Sequence, residues 1–166
     1  MEFILRPFEL RDIPNMVRYA DNPKIAGNLT DAFPHPYTWQ AAEKFINMAM
    51  GHNPAQIRVI DIDSELCGAI GLHPQSDVYK MNAEMGYWLA EPFWGNGIMS
   101  KAIEQTIKYG FENFSFTRIY ARPFGSNVAS QKALEKAGMK KEAVLQNAFF
   151  KNGKYEDEWI YSVSIV

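Results

Sequence analysis

The stretch 83–100 reads as a strand, a glycine-bearing turn and the first residue of a helix, and the rest of the chain is arranged about it. Ala83-Glu84-Met85-Gly86-Tyr87-Trp88-Leu89 is almost wholly apolar and aromatic, which predicts a strand. Pro92 ends it. A helix is predicted over 100–113, where Ile103, Ile107, Gly110, Phe111 and Phe114 share one stripe. Lys101, Glu104, Gln105, Lys108 and Glu112 take the opposite side. Between strand and helix, Gly95 and Gly97 free the backbone. A strand that hands a bare-backbone loop to a helix N-terminus makes an anion site, because unpaired N–H groups and the positive end of the helix dipole converge there.

The same reading orders the other elements. Residues 2–6 predict a first strand, stopped by Pro7. Asp12 stands as N-cap to a helix marked by Ile13, Met16, Val17 and Ala20. The stretch 24–37, with Gly27, Asn28, Pro34 and Pro36, reads as loop. Thr38 caps a second helix along Trp39, Ala42, Ile46, Ala49 and Met50. Two β-rich runs, 56–62 and 65–73, flank the turn Asp63-Ser64. Gly68 and Gly71 in the second run mark a bulge or a close backbone approach. After the central strand and helix come a short strand over 118–122 and a helix over 127–137 closed by Gly138. Two final strands surround Asn152-Gly153, a hairpin signal. The order β-α-α-β-β-β-α-β-α-β-β predicts a single mixed α/β domain over 1–166 with a central sheet. The strands at 83–89 and 118–122 are expected to be parallel, with a right-handed crossover.

Composition narrows the function classes. The 166 residues suffice for one domain with a real core, and the net charge of −2 gives no general attraction to nucleic acid or to an anionic membrane. An anionic ligand must therefore be held by local backbone and a few lysines. No apolar run is long enough to span a bilayer, and Met1 is followed by acidic Glu2 rather than a signal peptide. One cysteine, Cys67, precludes an internal disulfide and fits the reducing cytoplasm; its apolar neighbours make it a buried strand residue. His35, His52 and His73 lack metal-ligand spacing, so no metal is expected.

Three phosphate-loop readings fit the glycines unequally. A P-loop needs Lys-Ser/Thr after its last glycine, where this chain has Ile98-Met99. A dinucleotide fingerprint needs Gly or Ala where Ser100 stands and an acid about twenty residues on, where Arg118 to Tyr120 stand instead. The third is a coenzyme A pyrophosphate loop. Leu5-Arg6-Pro7, Phe33-Pro34-His35-Pro36-Tyr37-Thr38, Gly86-Tyr87-Trp88-Leu89, Gly95-Asn96-Gly97-Ile98-Met99-Ser100, Asn127-Val128-Ala129-Ser130, Leu134-Glu135-Lys136-Ala137-Gly138-Met139 and Asn152-Gly153-Lys154-Tyr155 follow in an order that supports it. On these motifs, over essentially its full length, the chain resembles the GNAT acyltransferase superfamily, in its RimJ/RimL-like branch of ribosomal-protein N-terminal acetyltransferases.

That resemblance implies a mostly antiparallel sheet with one splayed parallel pair, flanked by about four helices. It implies acetyl-CoA as the acyl donor, with the pantetheine arm lying in the splay. Trp88, Leu89, Trp94, Gly95, Asn96, Gly97, Ile98, Met99, Ser100, Asn127 and Ser130 become the coenzyme-binding positions. A backbone N–H near Trp88–Leu89 would face the thioester carbonyl. The superfamily loop begins with Gln or Arg and carries Gly or Ala at its sixth position; here Trp94 and Met99 stand there, and only Gly97 at the fourth conforms. Because backbone amides do most of the phosphate binding, the loop stays competent with an altered grip.

Acyl transfer to an amine needs the two groups side by side, a polarised carbonyl, a neutral amine and a stabilised thiolate. Glu84 opens an otherwise apolar strand on the face of Gly86 and Trp88, and it matches the general base of the histone-acetylating branch; its other reading is a solvated strand-edge glutamate. Ser130 matches the acid proposed for the thiolate in the RimL-like branch and equally suits a first-turn capping position. Tyr155 is a further acid candidate, otherwise a packing residue. The branch's glutamate before the last hairpin is missing, since Ala148-Phe149-Phe150 occupies that neighbourhood. Phe33, Tyr37, Trp39 and Phe149 are expected in the acceptor site, with core packing as their alternative. The acceptor is a peptide N-terminal α-amine, or else a small amine such as a polyamine, amino acid or aminoglycoside. A non-catalytic acyl-CoA-binding module is the alternative of a different class, and a homodimer is left open.

Overall fold

Seven strands and five helices follow one another in a computed structural model that describes residues 1–166. They are β1 (Ile4–Pro7), α1 (Ile13–Ala20), α2 (Pro23–Ala26), α3 (Trp39–Met50), β2 (Ile57–Ile62), β3 (Glu65–Pro74), β4 (Asn82–Leu89), α4 (Ile98–Asn113), β5 (Arg118–Ala121), α5 (Val128–Lys136), β6 (Lys140–Lys151) and β7 (Lys154–Ser164). The strand order is β1-β2-β3-β4-β5-β7-β6. β4 and β5 are the parallel pair, as their crossover through α4 requires, while β1/β2, β2/β3, β5/β7 and β6/β7 run antiparallel. No helix is long and apolar enough to cross a membrane.

Tertiary contacts divide the chain into two units, Met1–Gly71 with Tyr87–Ile98 and Leu72–Gly86 with Met99–Val166. In the first unit one apolar cluster joins Ile13, Met16 and Ala20 of α1, Ala42, Ile46 and Ala49 of α3, Val59 of β2, Leu66 and Ala69 of β3, and Trp88 of β4. The helical residues recur at three- and four-residue spacing, so each helix buries one stripe. Thr38 caps α3 as its sequence suggests, its hydroxyl accepting from the Ala41 amide at 3.1 Å.

Asp12 stands at the N-cap position of α1 but does not cap it. Its carboxylate takes two hydrogen bonds from Arg6, at 2.9 and 2.7 Å, and one from the Glu9 amide at 2.8 Å. Arg6 Nε donates to Asp61 at 2.6 Å. One guanidinium thus ties β1 to β2 and to the turn before α1, with only 12% of its side chain exposed and Asp12 and Asp61 at 3% and 5%. The hydrogen bond to Asp12, set against burial and aided by Asp61, holds the guanidinium above its ordinary range.

Gly68 and Gly71 mark close approaches. A Cβ built at Gly68 would lie 2.5 Å from the Trp88 carbonyl oxygen and 3.1 Å from the Leu89 Cα. The register of β2 on β3 also shifts between Ile60 and Asp61, opposite this stretch.

In the second unit, Leu72, Ala83, Met85, Ala102, Ile103, Ile119, Leu134 and Tyr161 are buried. A Cβ at Gly110 of α4 would meet Leu72 at 2.6 Å and Ile119 at 3.0 Å, so the helix lies directly on the sheet there. The Tyr161 hydroxyl donates to Glu135 at 2.7 Å, joining β7 to α5, and burial pushes that phenol up to about 12. The β6–β7 hairpin closes on Asn152 and Gly153, both at positive φ (52° and 79°), as a type I′ turn requires.

Two stability predictions follow from the first unit. Arg6→Met leaves two buried carboxylates without their cation and is expected to cost about 3–5 kcal/mol in urea unfolding. Gly68→Ala forces β3 away from β4 and is expected to lower the unfolding free energy by about 1–3 kcal/mol, the cost of an overpacked site. Unfolding curves that match wild type would contradict either expectation.

Candidate functional site

Two groups of residues carry chemistry, one in each unit. The first is the end of β4 and the loop that follows. Gly95 and Gly97 sit at φ +77° and +70°, which L side chains rarely adopt, and a Cβ built on either meets nothing within 4 Å. The backbone there is therefore laid bare toward open space, as a phosphate cradle needs. The loop leads directly into Ile98, the first residue of the sixteen-residue helix α4. The helix begins two residues earlier than its apolar periodicity suggests, which brings its first turn up to Gly97. Met99 is half-buried, and Ser100 is buried in that first turn.

The loop is braced from several sides. The Trp94 indole Nε1–H donates to the Leu89 carbonyl at 2.7 Å. The Asn96 carboxamide donates to the Phe93 and Trp94 carbonyls at 3.1 and 3.2 Å. Glu91 accepts from Lys24 and from Asn22, which keeps its carboxyl below the ordinary range, and Phe93 meets Tyr19 of α1 edge-on at 6.0 Å. Trp88 is buried against Phe33 (ring centroids 6.1 Å apart), and Phe33 in turn packs on Tyr37 at 5.0 Å.

The second group surrounds Glu84. The β4–β5 ladder covers three residue pairs and ends at Glu84↔Tyr120, while β4 continues to Leu89. Alternation puts Tyr120 and Arg122 on the face of Glu84. Arg122 Nε donates to Glu84 at 2.9 Å and lies 3.5 Å from a Glu158 oxygen of β7. Burial works against the Arg122 charge, but the hydrogen bond to Glu84 and the fields of both carboxylates outweigh it and hold the guanidinium above its ordinary range. Burial and the Glu84 charge together push the Tyr120 phenol up. His73 of β3 faces this group: its Nε2 would lie 3.3 Å from a Cβ built on Gly86. Its imidazole is exposed by area but closely surrounded by protein atoms, and this desolvation lowers its proton affinity against the opposing pull of Glu84.

The other sequence-derived positions fall as follows. Asn127 is the N-cap of α5, its carboxamide oxygen accepting from the Ser130 amide at 3.2 Å, so these two residues are adjacent by hydrogen bond. Tyr155 is 69% exposed on the β6–β7 hairpin and packs on Phe150 at 5.2 Å. It lines a shallow groove with Gly125, Ser126, Lys154, Glu156, Asp157 and Trp159. Phe149 packs on Phe124 with ring centroids 4.1 Å apart and planes tilted by 34°. Trp39 is half exposed at the start of α3. Tyr37 is a core residue at 4% exposure, its phenol pushed up to about 12 by burial. Cys67 is buried, and its thiol is pushed up to about 11, first by burial, so it is no ready nucleophile. No group of three or more His, Cys, Asp or Glu residues is arranged to hold a metal ion.

Sequence reasoning singled out Glu84 but not Arg122, Glu158, Tyr120 or the place of His73 beside it. The signal for the β5 pair lay in the period-two spacing of Tyr120 and Arg122; Glu158 needed the register of β7.

Comparison with known proteins agrees with this geometry. The acetyltransferase (GNAT) domain profile matches residues 2–140. The N-acetyltransferase YoaA of Bacillus subtilis (strain 168), itself uncharacterised, is 37% identical over 99 residues, 60% of this chain and 55% of that protein. The ribosomal-protein-serine acetyltransferase of Escherichia coli (strain K12) is 30% identical over 108 residues, 65% of this chain and 60% of that protein. The chain thus spans only a little over half the length of these curated relatives. The crystal structure of the microcin C7 self-immunity acetyltransferase MccE, in complex with acetyl-CoA and AMP, superposes with a TM-score of 0.82 at 25% identity, covering 99% of this chain and 93% of that one. With a braced glycine loop between β4 and α4, a parallel β4–β5 pair and a profile match over most of its length, the chain belongs to the GNAT acetyltransferase family.

Proposed function

We propose that this protein is a single-domain enzyme that transfers the acetyl group of acetyl-CoA to a primary amine, and that the amine is a peptide N-terminal α-amine. The observation that carries the reading is the β4–α4 loop, where two left-handed glycines expose backbone toward open space within a frame fixed by Trp94, Asn96 and Glu91. Similarity to a ribosomal-protein-serine acetyltransferase supports the choice of acceptor.

Bound acetyl-CoA supplies an activated thioester; the chain supplies the rest. Backbone from Gly95 to Ser100 holds the pyrophosphate. The Leu89 amide donates to the thioester carbonyl oxygen as charge develops on it. Glu84 takes the proton that the attacking nitrogen releases, as the new C–N bond forms and the C–S bond breaks. Glu158, 3.5 Å from Arg122, gives the guanidinium a second partner when Glu84 acts. Asn127 holds the coenzyme arm, and Ser130 or Tyr155 returns a proton to the departing sulfur. Phe33, the half-exposed Trp39 and the partly buried Phe149 contribute apolar surface to the acceptor. An α-amine ionises near pH 8 against about 10.4 for lysine, so a carboxylate base suffices for it.

The test is release of free thiol from acetyl-CoA over a panel of N-terminal peptides, polyamines and aminoglycosides. Peptides are expected to turn over; turnover confined to polyamines or aminoglycosides would move the acceptor class, and silence across the panel would favour a binding module. With the responding amine, Glu84→Gln is expected to lower kcat/KM at neutral pH by roughly 10²-fold. It is also expected to move the acidic limb of the pH profile upward, because the rate then waits on spontaneous loss of the ammonium proton. An unmoved profile would remove Glu84 from the mechanism.

A further inference from the structure

Trp94 occupies the loop position where the family pattern carries Gln or Arg. Its side chain does something that neither of those reads from sequence: it turns back onto the strand. The indole N–H meets the Leu89 carbonyl at 2.7 Å, while the N–H of the same peptide unit, that of Ala90, donates to the Cys67 carbonyl at 2.8 Å. Both edges of the Leu89–Ala90 peptide are therefore fixed, one by the loop and one by β3. Behind it, only a glycine fits at position 68, 2.5 Å from the Trp88 carbonyl when a Cβ is built. Leu89 and Ala90 are buried at 8% and 0% exposure. A peptide held at its oxygen, its nitrogen and its back has no freedom to rotate, and the preceding amide, the Leu89 N–H, inherits that fixed direction.

The indole is itself held. The Trp94 amide donates to the Glu91 carbonyl at 3.1 Å, and Asn96 closes onto the Trp94 carbonyl at 3.2 Å. The ring remains 43% exposed, so hydrophobic burial alone does not account for its placement; the directed hydrogen bond does.

We propose that Trp94 is a positioning residue for acyl transfer: its indole N–H locks the Leu89–Ala90 peptide and so aims the Leu89 amide at the thioester carbonyl. The loop that binds the pyrophosphate is thereby wired to the group that polarises the reacting carbonyl. This rests on the reading of Leu89 as the carbonyl's donor. Preorganised donors gain their effect from needing no reorganisation when charge appears, so loss of the lock should weaken polarisation more than binding.

The test reads polarisation directly and needs no acceptor. Acetyl-CoA labelled with carbon-13 at the thioester carbonyl is bound at saturation, and its stretch is recorded by isotope-edited infrared spectroscopy. In the wild-type protein the band is expected to shift to lower frequency than in free acetyl-CoA. Trp94→Phe keeps the ring and deletes the N–H; it is expected to lose half or more of that shift, with acetyl-CoA affinity by calorimetry within about threefold of wild type. Trp94→His, which restores a ring N–H, is expected to recover part of it. A full shift in Trp94→Phe would overturn the role of Trp94 alone. No shift in wild type would overturn the role of the Leu89 amide and this proposal with it, while thiol release would still report on the acetyltransferase reading. Loss of acetyl-CoA binding in both variants would show that Trp94 acts on coenzyme binding rather than on the reacting carbonyl, and would likewise overturn the proposal.

Discussion

The peptide between Leu89 and Ala90 is the fixed point of the first unit. Cys67 holds its N–H, Trp94 holds its oxygen, and Gly68 lets β3 approach close enough for both to be possible. The consequences run in two directions. Toward the N-terminal elements, the loop after β4 is anchored by Glu91 on Asn22 and Lys24 and by Phe93 on Tyr19, so it is part of the helical layer rather than a free connection. Toward α4, the left-handed glycines follow a loop that is already rigid. Exposed backbone in a flexible loop would lose affinity to ordering; in a braced loop that cost is met during folding.

The second unit concentrates charge where the parallel ladder ends. Arg122 is shared by Glu84 and Glu158, with Tyr120 and His73 facing the same carboxylate. A lone glutamate on a strand is ambiguous. A glutamate paired to a half-exposed arginine that has a second acceptor in reach can exchange partners. The Arg118–Glu142 ion pair and the hydrogen bond that Arg118 donates to Asn82 continue this polar face along β5, opposite the apolar residues Ala83, Met85, Ile119 and Ala121.

Much of this was legible in the sequence. The βαβ unit, the Thr38 cap, the Asn152-Gly153 turn and the close approach at Gly68 each depend on local chemistry and were readable as such. What escaped were features set by partners distant in the chain. Asp12 has the residue type and position of an N-cap, yet its carboxylate is taken by Arg6, a stronger charge-assisted partner. The four-residue helix α2 lies in a stretch that reads as loop, being too short to show a period. Tyr37 belongs to the core although its neighbours are loop-like, because Phe33 and Met16 enclose it. Trp94 reads as a loss of phosphate-binding character, and only the structure shows the hydrogen bond its indole makes instead.

On the proposed function, the backbone of this braced loop holds the coenzyme's pyrophosphate. Gly97 sits at φ +70°, where any L side chain is strained by roughly 1–2 kcal/mol. The most direct measurement is calorimetric affinity of Gly97→Val for acetyl-CoA, with S-acetylpantetheine, which lacks the pyrophosphate, as the comparison ligand. Acetyl-CoA binding is expected to weaken about tenfold or more while S-acetylpantetheine binding is unchanged. Equal acetyl-CoA affinities for the variant and the wild-type protein would contradict it.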